Sequence, residues 1–304
     1  MFARFLLVTI LVFNSFTAFA SDIISEVFPL ERNGVKLYLE RMQDSGNAPE
    51  KQILLAHGLT YSSHEFDVNV GDYSLARFLV NNGYAVWLLD IAGYGRSGKI
   101  EDGFMANSDY AAEDLAAAAK LIIETSGQSK IDVLGWSWGT ITAGRFVAKY
   151  PDMVRKLVLY APRFRGNGYA EVTDAFIMTN WVHAASDFQV KEDKTIDYEI
   201  VEPIVADTFL SNCWRYDGAG SPNGGRRDLL VSSENILIPA DSIKAPTLII
   251  IGDKDRGVEY CKEAIVSLPE SSALEIIPGA AHAMMMEKPY YKVFREAVLK
   301  FLQN

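Results

Sequence analysis

Ser137 stands in Gly135-Trp136-Ser137-Trp138-Gly139, after the apolar run Ile131–Leu134 and before a helix-like stretch, Ile141 to Lys149. A serine on a sharp strand-to-helix turn needs neighbours with almost no side chain two positions away, and Gly135 and Gly139 meet that need. The helix that follows aims its first N–H groups and the positive end of its dipole at the serine, where negative charge develops in acyl transfer. A serine hydroxyl attacks only when a base takes its proton, and the base needs an acid to fix its tautomer.

The chain has four histidines: His57, His64, His183 and His282. Only His282 follows the last strand-like run, in Pro278-Gly279-Ala280-Ala281-His282, where a Gly-rich loop can return an imidazole to the strand ends. The acid is expected after the run Thr247–Ile251, in Gly252-Asp253-Lys254-Asp255-Arg256. Asp255 lies far enough into that loop to reach a histidine. Asp253, at the strand end, is the alternative and reads as structural, with Lys254 and Arg256 available to pair with either carboxylate. A histidine base predicts that activity falls as the imidazole is protonated. Two N–H groups must face the developing oxyanion. One is that of Trp138, after the nucleophile, and the other comes from His57-Gly58-Leu59-Thr60, with Leu59 as the expected donor. His57 then reads as a residue that shapes this loop. His57 and His64 lack a third companion for a metal, so neither metal nor cofactor is expected.

These residues need a scaffold that brings strand ends together. Val35 to Arg41 alternates apolar and polar, as an edge or antiparallel strand does. Gln52–Ala56, Tyr84–Leu89, Lys130–Leu134, Lys156–Tyr160, Thr247–Ile251 and Leu274–Ile277 are nearly continuous apolar runs, which suit parallel strands buried on both faces. Helices are expected over Tyr73–Asn81, stopped by Gly83, over an Ala-rich stretch capped by Ser108, and over Tyr290–Leu302. This alternation reads as a mostly parallel central sheet flanked by helices. It breaks over residues 161–241, a stretch of Gly-rich loops, Gly218 to Gly225 among them, and scattered aromatics. That stretch reads as an inserted cap over the strand ends, leaving 21–160 and 242–304 as the core.

Composition sets the remaining bounds. The chain has 304 residues, 49% hydrophobic and 22% charged, enough for a large core. Its first twenty residues carry one Arg, an apolar stretch and Ala18-Phe19-Ala20, so a signal peptide cleaved before Ser21 is expected, and with it export to the periplasm or medium. An uncleaved anchor is the alternative; no later run reaches membrane-spanning length. The net charge of −10, one unit more negative without Arg4, disfavours nucleic acid and would weakly favour cationic substrates. Cys213 and Cys261 fit either a disulfide or two buried thiols.

Taken together, His57-Gly58, Gly135-Trp136-Ser137-Trp138-Gly139, Gly252-Asp253-Lys254-Asp255 and Gly279-Ala280-Ala281-His282 resemble the α/β-hydrolase superfamily along nearly the whole mature length. Asp90-Ile91-Ala92-Gly93-Tyr94-Gly95-Arg96-Ser97-Gly98 resembles a loop of that superfamily and reads as a tight turn flooring the site. The resemblance implies the α/β-hydrolase fold with a cap, and a serine esterase or lipase that works through an acyl-enzyme on a small ester. Asp72 to Leu88 resembles acid-lipase-like and lysophospholipase-like members, whereas Trp138 after the serine resembles proline iminopeptidases. An aminopeptidase would hold the substrate amine with cap carboxylates, for which Glu202, Asp207 and Asp217 are the candidates. A non-catalytic, ligand-binding member is the third reading; its usual mark, a lost triad residue, is missing. The cap aromatics and Met284-Met285-Met286 suggest an apolar acyl pocket, or packing.

Overall fold

The computed structural model describes residues 22–166, 168, 171–178, 180–231 and 234–304. The expected signal peptide, residues 1–20, lies outside them.

Among the described residues eight strands form one sheet, in the order β1-β2-β4-β3-β5-β6-β9-β10. They are β1 (Ile23–Arg32), β2 (Val35–Asp44), β3 (Lys51–Ala56), β4 (Tyr84–Asp90), β5 (Ile131–Trp136), β6 (Val154–Tyr160), β9 (Thr247–Gly252) and β10 (Ala273–Ile277). The short strands β7 (Phe176–Ile177) and β8 (Ser221–Pro222) pair with each other. β1 and β2 form an antiparallel hairpin turned at Asn33-Gly34, both at positive φ, and β2 runs antiparallel to β4. This two-residue turn matches the right-handed twist of its strands. From β4 to β10 every pairing is parallel.

The parallel strands are apolar throughout because both faces are covered. In β3, Leu54 and Ala56 face one core and Ile53 and Leu55 the other. The first core packs under α2 (Ser108–Ser126), α3 (Trp138–Lys149) and α7 (Val258–Ala264); the second under α1 (Leu75–Val80) and α8 (Tyr291–Gln303). Cys261 belongs to the first core and Cys213 to the second, so the sheet separates them and both thiols are free and buried.

Two expectations change at the helices. The cap of α2 is Asn107, whose side chain accepts from the N–H groups of Asp109 and Tyr110. Ser108 is instead the first helical residue, and its Oγ accepts from Trp138 Nε1 at 2.9 Å. The stretch Gly218–Gly225, read as loop, ends by opening a helix, α6 (Gly224–Leu229). Between β6 and β9 the chain also forms α4 (Asn180–Ala185) and α5 (Pro203–Asp217). His64 Nε2 lies 2.7 Å from Asp217 Oδ2 and ties the end of α5 to the loop after β3.

The strand order reverses at β3, because the chain goes from β3 to β4 on one side and crosses back to β5 on the other. Such a switch point leaves a crevice beyond the carboxyl ends of the strands. Both His57-Gly58-Leu59 and Ser137 stand at that edge, directly after β3 and β5.

Candidate active site

Ser137 is the N-cap of α3 and holds φ 55°, ψ −119°, a conformation that costs a non-glycine residue about 1–3 kcal/mol. The surroundings enforce it. The Ser137 N–H donates to the Tyr160 carbonyl at 3.0 Å, and the Ser137 carbonyl accepts from Thr140 N at 3.0 Å and Thr140 Oγ1 at 2.5 Å. A Cβ on Gly135 would strike the Gly139 carbonyl, and one on Gly139 would strike the Ala56 carbonyl. The glycines therefore let the strand, the turn and the helix close on one another.

The loops after β9 and β10 bring the acid and the imidazole together. His282 Nδ1 lies 2.7 Å from Asp255 Oδ2. Burial alone would raise the Asp255 pKa. The charges of His282 and Arg163 and their hydrogen bonds outweigh it and hold the carboxyl well below the usual carboxylate range. An ionised Asp255 accepts from Nδ1–H and leaves Nε2 as the basic nitrogen. Arg163, in the turn after β6, donates from Nη2 to Asp255 Oδ1 at 3.0 Å and from Nη1 to the Arg256 carbonyl at 2.7 Å. Its Nη2 also lies 3.1 Å from His282 Nδ1. With Nδ1 protonated, that approach is one donor facing another, so the carboxylate is what holds Arg163 in place. The cationic side chain on Asp255 is thus that of Arg163 rather than of Lys254 or Arg256; Arg256 donates only its backbone N–H to Asp255 Oδ1, at 2.6 Å, and Lys254 Nζ reaches Gln189 Oε1 at 3.0 Å. Asp253 accepts from the Gly279 N–H at 2.7 Å and so braces the His282 loop.

The backbone of His282 is clamped as well. Its carbonyl accepts from Trp136 Nε1 at 3.1 Å and from Tyr160 Oη at 2.7 Å. The two rings stack 5.6 Å apart, with their planes within 10° of parallel. Trp136, between Gly135 and Ser137, therefore ties the strand that leads to Ser137 to the loop that carries His282.

On the other side of Ser137 runs the loop after β3. Gly58 eases its close approach, since a Cβ there would lie 3.3 Å from Ser137 Cβ, a tight contact. The Gly58 N–H donates to Glu65 Oε1 at 2.9 Å. His57 Nδ1 contacts the Gly58 carbonyl at 2.9 Å, and its Nε2 accepts from Ile91 N at 3.1 Å. Burial lowers the His57 pKa, so the ring is a neutral brace. Leu59 follows Gly58 on the cavity wall, and the Trp138 indole turns away to Ser108. The Asp90–Gly98 loop behaves as a tight turn: Asp90 accepts from Ser63 N at 3.0 Å, Arg96 N at 2.9 Å and Arg96 Nε at 3.0 Å.

Ser137, Leu59, Asp255 and His282 open onto one cavity of 440 Å³. Its wall differs from an apolar acyl pocket. Phe188, Leu229 and Leu230 share it with four cations, Arg163, Arg226, Lys254 and Arg256, and with two carboxylates, Asp187 and Asp255. The site is therefore locally positive in an acidic chain and disfavours the cationic substrates that net charge alone suggests. Met284, Met285 and Met286 are buried in the second core, and Trp181 and Trp214 are exposed on α4 and α5. Glu202 accepts from Tyr73 Oη, Asp207 is exposed and Asp217 meets His64; all three stand off the cavity wall. Arg163, Glu65, Arg226 and Asp187 are the residues that sequence reasoning missed. Only Arg163 left a signal, a charged residue in the turn directly after an apolar strand.

Residues 47–289 match the family described as Serine aminopeptidase, S33. The chain belongs to this family of α/β-hydrolases. It is 27% identical to a 2-(acetamidomethylene)succinate hydrolase of Mesorhizobium japonicum over 300 residues, which cover 94% of this chain and 98% of that protein. It is 26% identical to human serine hydrolase BPHL over 276 residues, covering 89% and 84%. The likeness to mouse lipase member K is 32% over 121 residues, and the chain spans only 30% of that protein. Among solved structures, a bromoperoxidase from Bacillus anthracis superposes with a TM-score of 0.68 at 22% identity, over 92% of this chain and all of that one. The esterase EaEST from Exiguobacterium antarcticum gives 0.66 at 18%, over 91% and 99%. The protein is a hydrolase of the α/β-hydrolase fold.

Proposed function

We propose that the protein hydrolyses carboxylic esters through an acyl-enzyme on Ser137. The observation that carries this reading is the 2.7 Å contact between His282 Nδ1 and Asp255, opening on the same cavity as a serine held at the strained elbow. Ser137 Oγ attacks the ester carbonyl while His282 Nε2 takes its proton. Asp255 holds the ring and stabilises the imidazolium. The N–H groups of Leu59 and Trp138 receive the oxyanion; Glu65 supports this assignment by engaging the preceding N–H, that of Gly58, which leaves the Leu59 N–H as the next donor of the loop. The imidazolium returns its proton to the leaving alcohol. Water, deprotonated by the same imidazole, then releases the acid and frees the serine.

The family description favours a second reading, an aminopeptidase. It needs a cavity carboxylate for the substrate amine. Asp187 is the remaining candidate on the wall, and it already accepts from the Tyr61 hydroxyl. Hydrolysis of p-nitrophenyl esters of increasing acyl length, beside aminoacyl p-nitroanilides and the Ser137→Ala variant, separates the two. Serine-dependent turnover of the esters is expected. Turnover confined to the anilides would replace the esterase reading by the peptidase one.

A further inference from the structure

Arg226, on α6, lines the cavity that Ser137 and His282 open onto. Its Nε and Nη2 are both buried, and neither donates to an acceptor among the described residues. The side chain as a whole is half-buried; a guanidinium stays charged in proteins, and nitrogens of it buried without an acceptor cost stability. The other cations of the wall are engaged or solvated: Arg163 holds Asp255, Lys254 reaches Gln189, and Lys254 and Arg256 are exposed. Asp187 shares the wall and its charge acts on Arg226, but it bonds to Tyr61, and among the described residues no hydrogen bond or close ion pair joins it to Arg226. Nε and Nη2 form one edge of the guanidinium, spaced to meet both oxygens of a carboxylate side-on.

The seat of α6 is built to hold this arginine in place. A Cβ on Gly225 would enter the Trp138 indole, and one on Gly224 would strike the backbone at Ala106. Gly224 N donates to the Gly103 carbonyl at 2.9 Å, and Asp228 Oδ2 accepts from Ser108 N at 2.7 Å. The helix carrying Arg226 is therefore pinned to the residue that follows the nucleophile. Holding a charged donor fixed beforehand is what a recognition site requires.

We infer that Arg226 binds a carboxylate carried by the substrate, so that the enzyme acts on half-esters of dicarboxylic acids and similar acyl compounds that bear a second acid group. This rests on the esterase reading and adds the substrate class to it.

The matched pair monomethyl adipate and methyl hexanoate differs by a carboxylate in place of a terminal methyl. Acid release is followed by titration for the wild type, Arg226→Met, Arg226→Lys and Ser137→Ala. The wild-type ratio of kcat/KM, half-ester over neutral ester, is expected to fall at least tenfold in Arg226→Met, and less in Arg226→Lys. Because both esters meet the same protein, general damage cancels in the ratio, and Arg226→Lys serves should the Met variant fail to fold. A ratio unchanged in both variants overturns the inference. If neither ester turns over above Ser137→Ala, the esterase reading fails instead. Calorimetry with adipate then decides: binding at least tenfold weaker in the Arg226 variants sustains a carboxylate site, and equal binding removes it.

Discussion

Asp255 and Glu65 are both buried acids beside Ser137, and their surroundings send them opposite ways. His282 and Arg163 hold Asp255 ionised against its burial, so that it can orient an imidazole. Asp255→Asn keeps the shape but donates where the carboxylate accepts, which forces the wrong tautomer on His282. kcat on an ester is expected to fall about 10³- to 10⁴-fold with the melting curve little changed; a loss below tenfold would contradict the role. Glu65 is different. Burial pushes its carboxyl well above the usual range against the Gly58 hydrogen bond, and Asp187, Asp217 and Asp90 add to the rise. The neutral acid still accepts from Gly58 N–H through Oε1. Glu65→Gln is therefore expected to keep ester turnover within about threefold, because the amide oxygen can replace that acceptor. Glu65→Leu leaves the N–H buried and unpaired, at a cost of about 1–3 kcal/mol, and is expected to cut kcat/KM by about tenfold or more. Equal activity in the two variants would mean that Gly58 needs no acceptor.

At the scale of elements, the site depends on three strand ends held in register by side chains rather than by the sheet alone. Trp136 at the end of β5 and Tyr160 at the end of β6 both donate to the carbonyl of His282, in the loop after β10. Either donor satisfies that carbonyl, so Trp136→Phe and Tyr160→Phe should each lower kcat only a few-fold. Removing both orphans the carbonyl, so the double variant should lose more than the product of the single effects. Strict additivity in this cycle would show that the two rings act separately. The parallel strands were legible because burial on both faces writes a continuous apolar run. β1 was not, since Ile23–Arg32 lies half exposed at the edge and mixes Ser25, Glu26 and Glu31 with apolar residues. Its Asn33-Gly34 turn was the available signal. The helix α6 has no apolar period; its packing on Trp138 and Ala106 makes it a helix, and local sequence holds no trace of that contact. The meeting of Ser137, Asp255 and His282 was legible because each follows a strand in a fixed order. Glu65 and Arg226 were not, because distant segments meeting in space make them matter.

Across the whole molecule, most buried carboxyl groups have a charged or hydrogen-bonded partner, and Asp132 shows what an incomplete partnership does. It lies on β5 with its side chain buried, and it accepts from Arg155, itself about a third exposed, through Oδ2. Its Oδ1 has no hydrogen-bond partner among the described residues. Burial pushes its pKa up to about 6, against the pull of Arg155. In the unfolded chain an aspartate titrates near about 3.9. Between these values the folded protein binds the proton and the unfolded chain does not. Stability from this group is complete below about pH 4 and is lost as the pH rises toward about 6, by up to about 3 kcal/mol. Asp255 acts with the opposite sign and in another window: its contribution is present above about pH 4 and is lost only as acid reaches its depressed pKa. Asp132 is therefore expected to raise the melting temperature at pH 5 relative to pH 8 by a few degrees, while His57 and His183, whose pKa values burial lowers, work against it as the unfolded imidazoles take up protons. The net charge of −10 pushes the same way as Asp132, because acid relieves self-repulsion, so the wild type alone does not isolate Asp132. Asp132→Asn removes the titrating proton and keeps the volume. It is expected to lower the melting temperature at pH 5 minus that at pH 8 by a few degrees, whatever happens to their absolute values, and a difference equal to that of the wild type would move the pH dependence to other groups.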